Sequence, residues 1–292
     1  MMRGVVFVLL FFLCNITWAS NWVSHWASHD SPERYFGQYV LQGGGDTLIG
    51  SGVEILASSL SAWDVDELGN IILVDANQLK KYDAKGNLLF SQSIKNVGKI
   101  TKLDARNPMK ILFFSEDQQL VGVLDNSLTF QGENFDLSSY GLSYVQAFSS
   151  SFQNNKFWVF DQDNSKLELL STNNQQRVKV ENLKSLLGFN EVTQLIEEGN
   201  FLYLYDKTKG VYKLDNYGNL IDFISVQTGT YISIEKNVVY VLCGNQMRAY
   251  SEKDPIPLVL SLPILDIIQF KKQGGYFYFL EKNKLSKFSF KK

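Results

Sequence analysis

The segments FLYLYD (Phe201–Asp206) and YFYFLE (Tyr276–Glu281) are apolar or aromatic at every position before the closing acid. Successive side chains of a strand point to opposite faces, so a strand with one wet face alternates. A strand that is apolar throughout is covered on both faces. The chain has almost no helical periodicity to supply such cover, so the cover has to be other sheets.

Four more runs of this kind end at Asp75 (IILVD), Glu116 (ILFFSE), Asp161 (FWVFD) and Cys243 (VVYVLC). Successive run ends are 41, 45, 45, 37 and 38 residues apart, a near-constant period that marks a repeat architecture. A strand leads into each run, as in AWDVDE (Ala62–Glu67), TQLIEE (Thr193–Glu198) and IIQFKK (Ile267–Lys272). An alternating strand follows, such as KLELL (Lys166–Leu170) or KLSKFSF (Lys284–Phe290). A fourth strand closes four of the units, as in LLFSQS (Leu88–Ser93) and LIDFIS (Leu220–Ser225).

Four short strands per unit, each sheet sheltered by its neighbours, predict an all-β fold. The expected architecture is a β-propeller of six four-stranded blades, with seven as the alternative. The sixth unit stops one strand short at KLSKFSFKK, and an open edge there invites aggregation. A strand within DTLIGSGVEIL (Asp46–Leu56) is expected to complete it and close the ring. Residues 46–292 are therefore read as the propeller, and 20–45 as a separate N-terminal segment without clear period.

Asp66-Glu-Leu-Gly-Asn70, Asp83-Ala-Lys-Gly-Asn87 and Asp215-Asn-Tyr-Gly-Asn219 recur between strands. Gly supplies a positive φ and the Asp carboxylate accepts from the turn backbone, so these are read as hairpin chemistry before metal chemistry.

The first 19 residues read as a secretory signal peptide. Arg3 precedes the apolar run Val5–Leu13, and Thr17-Trp18-Ala19 puts small residues at the −3 and −1 positions. Cys14 follows Leu13, not the small residue a lipidation site needs, which leaves Cys243 as the single cysteine beyond residue 19 and no internal disulfide. There 27 Lys and Arg face 30 Asp and Glu, a balance that gives no electrostatic case for nucleic acid. No other apolar run is long enough to span a bilayer. Export follows, with the periplasm as the expected site and the cell surface or medium as the alternative.

The D-x-x-G-N hairpins and the repeat length over residues 61–292 resemble NHL- and YVTN-type propellers, a likeness that specifies fold and not function. The repeating Trp-Asp signature of WD40 blades and the repeated Gly-rich kelch pattern are lacking. The Asn, Lys, Phe and Tyr usage together with the signal is similar to that of exported Bacteroidota proteins. It implies kinship in kind with periplasmic propellers that accompany the type 9 secretion translocon.

Residues that carry chemistry are few. The two histidines, His25 and His29, both lie in NWVSHWASHDSPE near the signal, so none falls in a blade. DQDNSKLE (Asp161–Glu168) lacks the Gly and Glu of a calcium loop, and LQGGGD (Leu41–Asp46) does not open a helix. No catalytic, cofactor or metal residues are assigned. The expected function is a non-enzymatic, monomeric protein-interaction module of the cell envelope, and specifically an accessory or pore-plugging subunit of an outer-membrane translocon barrel. The partner contacts are assigned to Trp22, Trp26, Tyr35 and Phe36, which supply aromatic anchors, and to Lys284, Lys287, Lys291 and Lys292 in the lysine-rich stretch 271–292. The long connections Gly132–Ser143 and Glu181–Glu191 are further candidates. The alternative is a sugar-, lactone- or peptide-directed enzyme or binding protein with an axial carboxylate or metal pocket.

Overall fold

The computed structural model describes residues 48–171, 178–226, 229–262, 264 and 266–290. Twenty-four strands form six antiparallel four-stranded sheets arranged as a propeller. The chain begins with β1 (Leu48–Leu56). Blade I is β2 (Leu60–Val65), β3 (Ile71–Asp75), β4 (Gln78–Tyr82) and β5 (Leu88–Ser93). Blade II is β6 (Lys102–Asp104), β7 (Ile111–Ser115), β8 (Leu120–Leu124) and β9 (Phe130–Asp136). Blade III is β10 (Val145–Ser150), β11 (Lys156–Asp161), β12 (Lys166–Ser171) and β13 (Val178–Val180). A single helical turn, α1 (Leu183–Leu187), leads to blade IV, with β14 (Gln194–Glu198), β15 (Phe201–Asp206), β16 (Gly210–Asp215) and β17 (Leu220–Ser225). Blade V is β18 (Tyr231–Glu235), β19 (Val238–Cys243), β20 (Gln246–Ser251) and β21 (Asp254–Ser261). Blade VI is β22 (Gln269–Gln273), β23 (Tyr276–Leu280) and β24 (Lys284–Phe290), completed by β1 as its outer strand.

The six apolar runs are the second strands, and β3 and β7 are buried at every position. Their side chains fill the spaces between blades. Trp158, Phe160 and Leu169 of blade III pack with Leu202, Leu204 and Tyr212 of blade IV, and Tyr240 of blade V meets Phe277 of blade VI edge-on at 5.7 Å. Each large side chain buried this way is worth about 1.5–3 kcal/mol, against roughly 1 kcal/mol for a neutral hydrogen bond. Apolar packing therefore carries the stability, and the polar contacts fix which blade sits where.

Those polar contacts repeat. The inner strands adjoin one another in ring order, and each junction carries side-chain bonds to the next blade. Asp64 accepts from Ala105 N (2.7 Å), Asp104 from Ser150 N (2.8 Å), and Ser149 Oγ from Glu197 N (2.9 Å). Gln194 exchanges two bonds with the Ile232 backbone, and Ser233 Oγ accepts from Lys272 N (2.9 Å). Trp63 Nε1 donates to Gln269 Oε1 (2.7 Å) and Lys271 pairs with Asp64 (2.8 Å), which joins blade VI to blade I.

A second latch lies in the third strands. Lys81, Lys213 and Lys287 are buried, and each ammonium reaches the turn after the third strand of the following blade. Lys81 donates to Asn126, Lys213 to Glu252, and Lys287 to Ala84 O at 3.1 Å. Their aliphatic stems pass over neighbouring apolar surface. The Lys213 ammonium also lies 3.8 Å from the Phe201 ring centroid, and that of Lys287 4.0 Å from the Tyr276 ring centroid.

The D-x-x-G-N turns share one geometry. Asp83 accepts from Lys85 N (2.8 Å), Asn87 N (2.9 Å) and Asn87 Nδ2 (2.8 Å), and Asp66 and Asp215 repeat the set. Gly86 takes φ 89°, a conformation that carries no steric cost for glycine. The acids ending the second strands hold the loop entering their own blade. Asp75 accepts from Ser58 N, Ser59 N and Ser58 Oγ, all at 2.9 Å, Asp161 from Ser143 N and Tyr144 N, and Asp206 from Asn190 N and Glu191 N.

Two of the expected contact loops turn out to be packing elements. Gly132–Asp136 belongs to β9, and the following turn buries Leu137. The stretch 181–191 holds α1 and buries Leu183 and Phe189 in the core between blades III and IV.

Candidate functional site

At the axis the titratable groups bind one another across blades. Arg106 donates to Asp104 through Nε (3.1 Å) and Nη2 (2.8 Å), to Ser149 Oγ (2.7 Å), and to Ser150 O and Oγ (2.7 and 2.8 Å). Its Nη1 reaches Glu197 O, so a single guanidinium ties three blades together. Burial alone would raise the Asp104 carboxyl, but the Arg106 charge, with its hydrogen bonds and Lys271 across the ring, holds it well below the usual range. Asp64 is committed likewise, to Lys271 and to Ala105 N.

Lys102 opens β6 further along the axis, and its ammonium donates to Gln146 O of blade III. Burial pushes this amine down to about 8, while Glu116 and Glu191 oppose the shift. Gln146 Oε1 is buried without a hydrogen-bond partner.

The face that carries the first hairpin of each blade is asymmetric. Blades IV, V and VI turn in two residues there (199–200, 236–237 and 274–275), whereas blades I, II and III use the longer loops 66–70, 105–110 and 151–155. The loops of blades II and III, with Glu67 from blade I, wall a groove of about 340 Å³. Lys110 Nζ bridges its two walls by donating to Asn155 Oδ1 (2.9 Å). Lys156 Nζ donates to Gln153 Oε1 (2.9 Å). Arg106 and Ser150 also line it, and Phe152 is 58 % exposed with its ring centroid 5.6 Å from the Arg106 guanidinium.

The outer strands differ in how their open edges are protected. Charge, proline or a bulge on an edge discourages strand pairing. Among them β1 carries a bulge between Gly50 and Glu54, β9 carries Asp136, β13 Lys179 and β17 Asp222, and β21 carries Asp254 and Pro257. By contrast β5, LLFSQS, has no charge and no proline; its ladder to β4 shifts register between Lys81 and Tyr82, but the strand is exposed along its whole length and presents Leu88, Leu89 and Phe90 to solvent.

The expected partner-binding residues Trp22, Trp26, Tyr35, Phe36, Lys291 and Lys292 lie outside the described residues, as do His25 and His29. Lys284 is half-buried and pairs with Glu281 at 3.0 Å. Lys287 is buried against blade I, so its charge is spent inside the molecule on the Ala84 carbonyl. Lys271, Lys272 and Lys287 of blade VI thus tie it to its neighbours, and the number of lysines in the sequence gave no sign of this. Cys243 ends β19, half-buried against the packing between blades IV and V. Among the described residues no helix is long and apolar enough to cross a membrane, and no three His, Cys, Asp or Glu side chains gather as a metal site.

No protein-family model matches the chain, and no curated protein matches it in sequence. Solved structures do resemble it in fold. A streptogramin B lyase superposes with a TM-score of 0.59 at 12% identity, over 84% of this chain and 97% of that one. Virginiamycin B lyase from Staphylococcus aureus gives 0.58 at 10% identity, over 81% and 98%. A Bacteroides thetaiotaomicron protein of unknown function gives 0.60 at 12% identity, over 85% and 73%. These likenesses establish the six-bladed propeller and carry no support for NHL or YVTN membership. They also correct the expectation that the chain is not an enzyme. Propellers of this shape include lyases, so the fold does not exclude catalysis, and at 10–12% identity the likeness assigns no activity to this chain.

Proposed function

We propose that the protein is an exported protein-interaction propeller of the bacterial cell envelope, which docks a partner by adding one of the partner's extended segments to the open edge of β5. The observation that carries this reading is that β5 is the one outer strand with neither a charged residue nor a proline, and it is exposed and apolar over Leu88–Phe90. Unpaired N–H and C=O groups of an edge strand accept another strand with main-chain bonds, and alternate side chains supply specificity. Leu88, Leu89 and Phe90 then pack, each on its own face of the sheet, beside apolar side chains of the incoming strand. The signal-like residues 1–19 support export, and an outer-membrane component of a protein translocon is the partner class implied by the resemblance to periplasmic propellers.

The test uses a photoreactive residue at Phe90 in the expressed full chain. The cross-linked partner is then purified and titrated back onto the unmodified protein. Slowed amide exchange confined to Leu88–Ser93, and loss of binding in Leu89→Lys with unchanged melting, support strand addition. Partner binding that leaves β5 exchange unchanged, or that survives Leu89→Lys, refutes it, as does the absence of any Phe90 adduct in the envelope.

A further inference from the structure

We infer that the groove between the first hairpin loops of blades II and III binds a carboxylate-bearing saccharide. The groove is distinct from the β5 edge, and the inference does not depend on strand addition there. Its volume, about 340 Å³, lies within the size range of small-molecule sites.

Three features of its lining choose the ligand class. First, Lys110 and Lys156 bring two ammonium groups whose hydrogen bonds go to the neutral amide oxygens of Asn155 and Gln153. Neither ammonium has a salt bridge to a carboxylate among the described residues. Burial presses the Lys110 amine below its ordinary value, so an arriving carboxylate relieves a desolvated cation. Secondly, Asn107, Gln153, Asn154 and Asn155 also line the site. Side-chain amides both donate and accept, which matches vicinal hydroxyls that do the same. Thirdly, Phe152 stands 58 % exposed, with the Arg106 guanidinium over one face of its ring and the other face left to a ligand. A pyranose face is a sheet of weakly positive C–H bonds, and the negative face of an aromatic ring is its complement. A simple anion has no use for the ring or the amides, and a neutral sugar none for the two ammonium groups.

The placement supports a built site. Three blades form their first hairpin from two residues, while blades I, II and III, which all line the groove, spend the longer loops 66–70, 105–110 and 151–155; blade I adds the Glu67 carboxylate, and the loops of II and III are tied together by Lys110 and Asn155. Arg106 lies beneath, fixed by six hydrogen bonds to blades II, III and IV. Binding residues on loops held by such a rigid frame lose little freedom when a ligand arrives.

The full chain is titrated with trigalacturonate, maltotriose and acetate to 10 mM, following tryptophan fluorescence and amide shifts. Saturable trigalacturonate binding, at least tenfold tighter than maltotriose or acetate, is expected. Phe152→Ala, at an exposed position, weakens it tenfold or more, and Lys110→Met with Lys156→Met reduces the trigalacturonate affinity to that of maltotriose, all with wild-type melting. Equal binding of maltotriose, equal binding of acetate, no saturable binding of trigalacturonate, or binding insensitive to Phe152→Ala each overturns the inference. An altered melting curve in the lysine variant is met by repeating the titration with Lys156→Met alone, where an undiminished preference for trigalacturonate likewise overturns it.

Discussion

Asp75→Asn tests whether the acid closing the second strand of blades I, III and IV is a structural clamp. The Asp75 carboxylate holds Ser58 and Ser59, the residues that carry the chain from β1 into blade I, and pairs with Lys80 Nζ at 2.7 Å. Burial by itself would raise its pKa, but the Lys80 bond and the Ser59 and Ser58 donors lower it to about 2. The unfolded chain titrates near 3.9 and each pKa unit is worth 1.36 kcal/mol, so the ionised clamp contributes about 2.5 kcal/mol. Only 8 % of the residue is exposed, so little solvent screening is deducted. Because the folded value lies below the unfolded one, the contribution is complete above about pH 4 and disappears as the pH falls through about 2. Asparagine keeps one acceptor but turns an N–H toward the Lys80 ammonium. Urea unfolding of the two proteins from pH 7 to pH 2.5 is expected to show a gap of about 2–3 kcal/mol at neutrality, a melting difference of roughly 5–10 °C, which narrows below pH 4. A gap below about 0.5 kcal/mol at pH 7, or one of constant size down to pH 2.5, refutes the clamp.

Other outcomes follow from the same contacts. Lys81→Met removes an ammonium 3.5 Å from buried Asp66. Asp66 keeps its three turn donors, so the loss is held to about 2–3 kcal/mol by chemical denaturation, below the 3–5 of a fully broken buried pair, and the exposed Lys85→Met stays within about 0.5. Gly210→Ala places a Cβ 2.1 Å from the Ile224 carbonyl oxygen at φ 140°. Backbone cannot step aside as a side chain does, so a loss above about 3 kcal/mol is expected in the same assay. Gly218→Ala meets Val180 Cγ1 at 2.6 Å, a movable side chain, and adding Val180→Ala is expected to recover part of a loss of about 1–2 kcal/mol while the φ 86° strain persists. A double-mutant cycle on these two positions checks it.

Much of the architecture is written locally. Runs such as FWVFD and LYLYD declare strands covered on both faces, and one missing strand at KLSKFSF forces β1 into blade VI, where Leu48 pairs with Phe290. The latch lysines were hidden for a physical reason. Lys81 and Lys213 precede Tyr-Asp and Leu-Asp as ordinary alternating polar residues, and only the placement of the next blade shows that they bury. The groove was equally invisible, because what makes it is a contrast in loop length among repeats that are distant in sequence and adjacent in space. The β5 edge lies between. Its uncharged LLFSQS could be read directly, but its meaning depends on knowing that it is an outer strand and that the other five are guarded.

The pairing of β1 with β24 has a mechanical consequence. Leu48 lies opposite Phe290 and Leu56 opposite Lys284, so both chain ends leave this ladder at the same end. Closing a loop of roughly 240 residues in place of about 15 adds four doublings of length, near 2.4 kcal/mol of entropy that this clasp offsets and the local hairpins do not. Tension applied to the two tails loads its bonds one after another, as a zipper does, and the irregularity between Gly50 and Glu54 lies close to the slider. Pulling between Leu48 and Phe290 should therefore release blade VI at low force, while the other five blades, each built from neighbouring stretches of chain, stay shut.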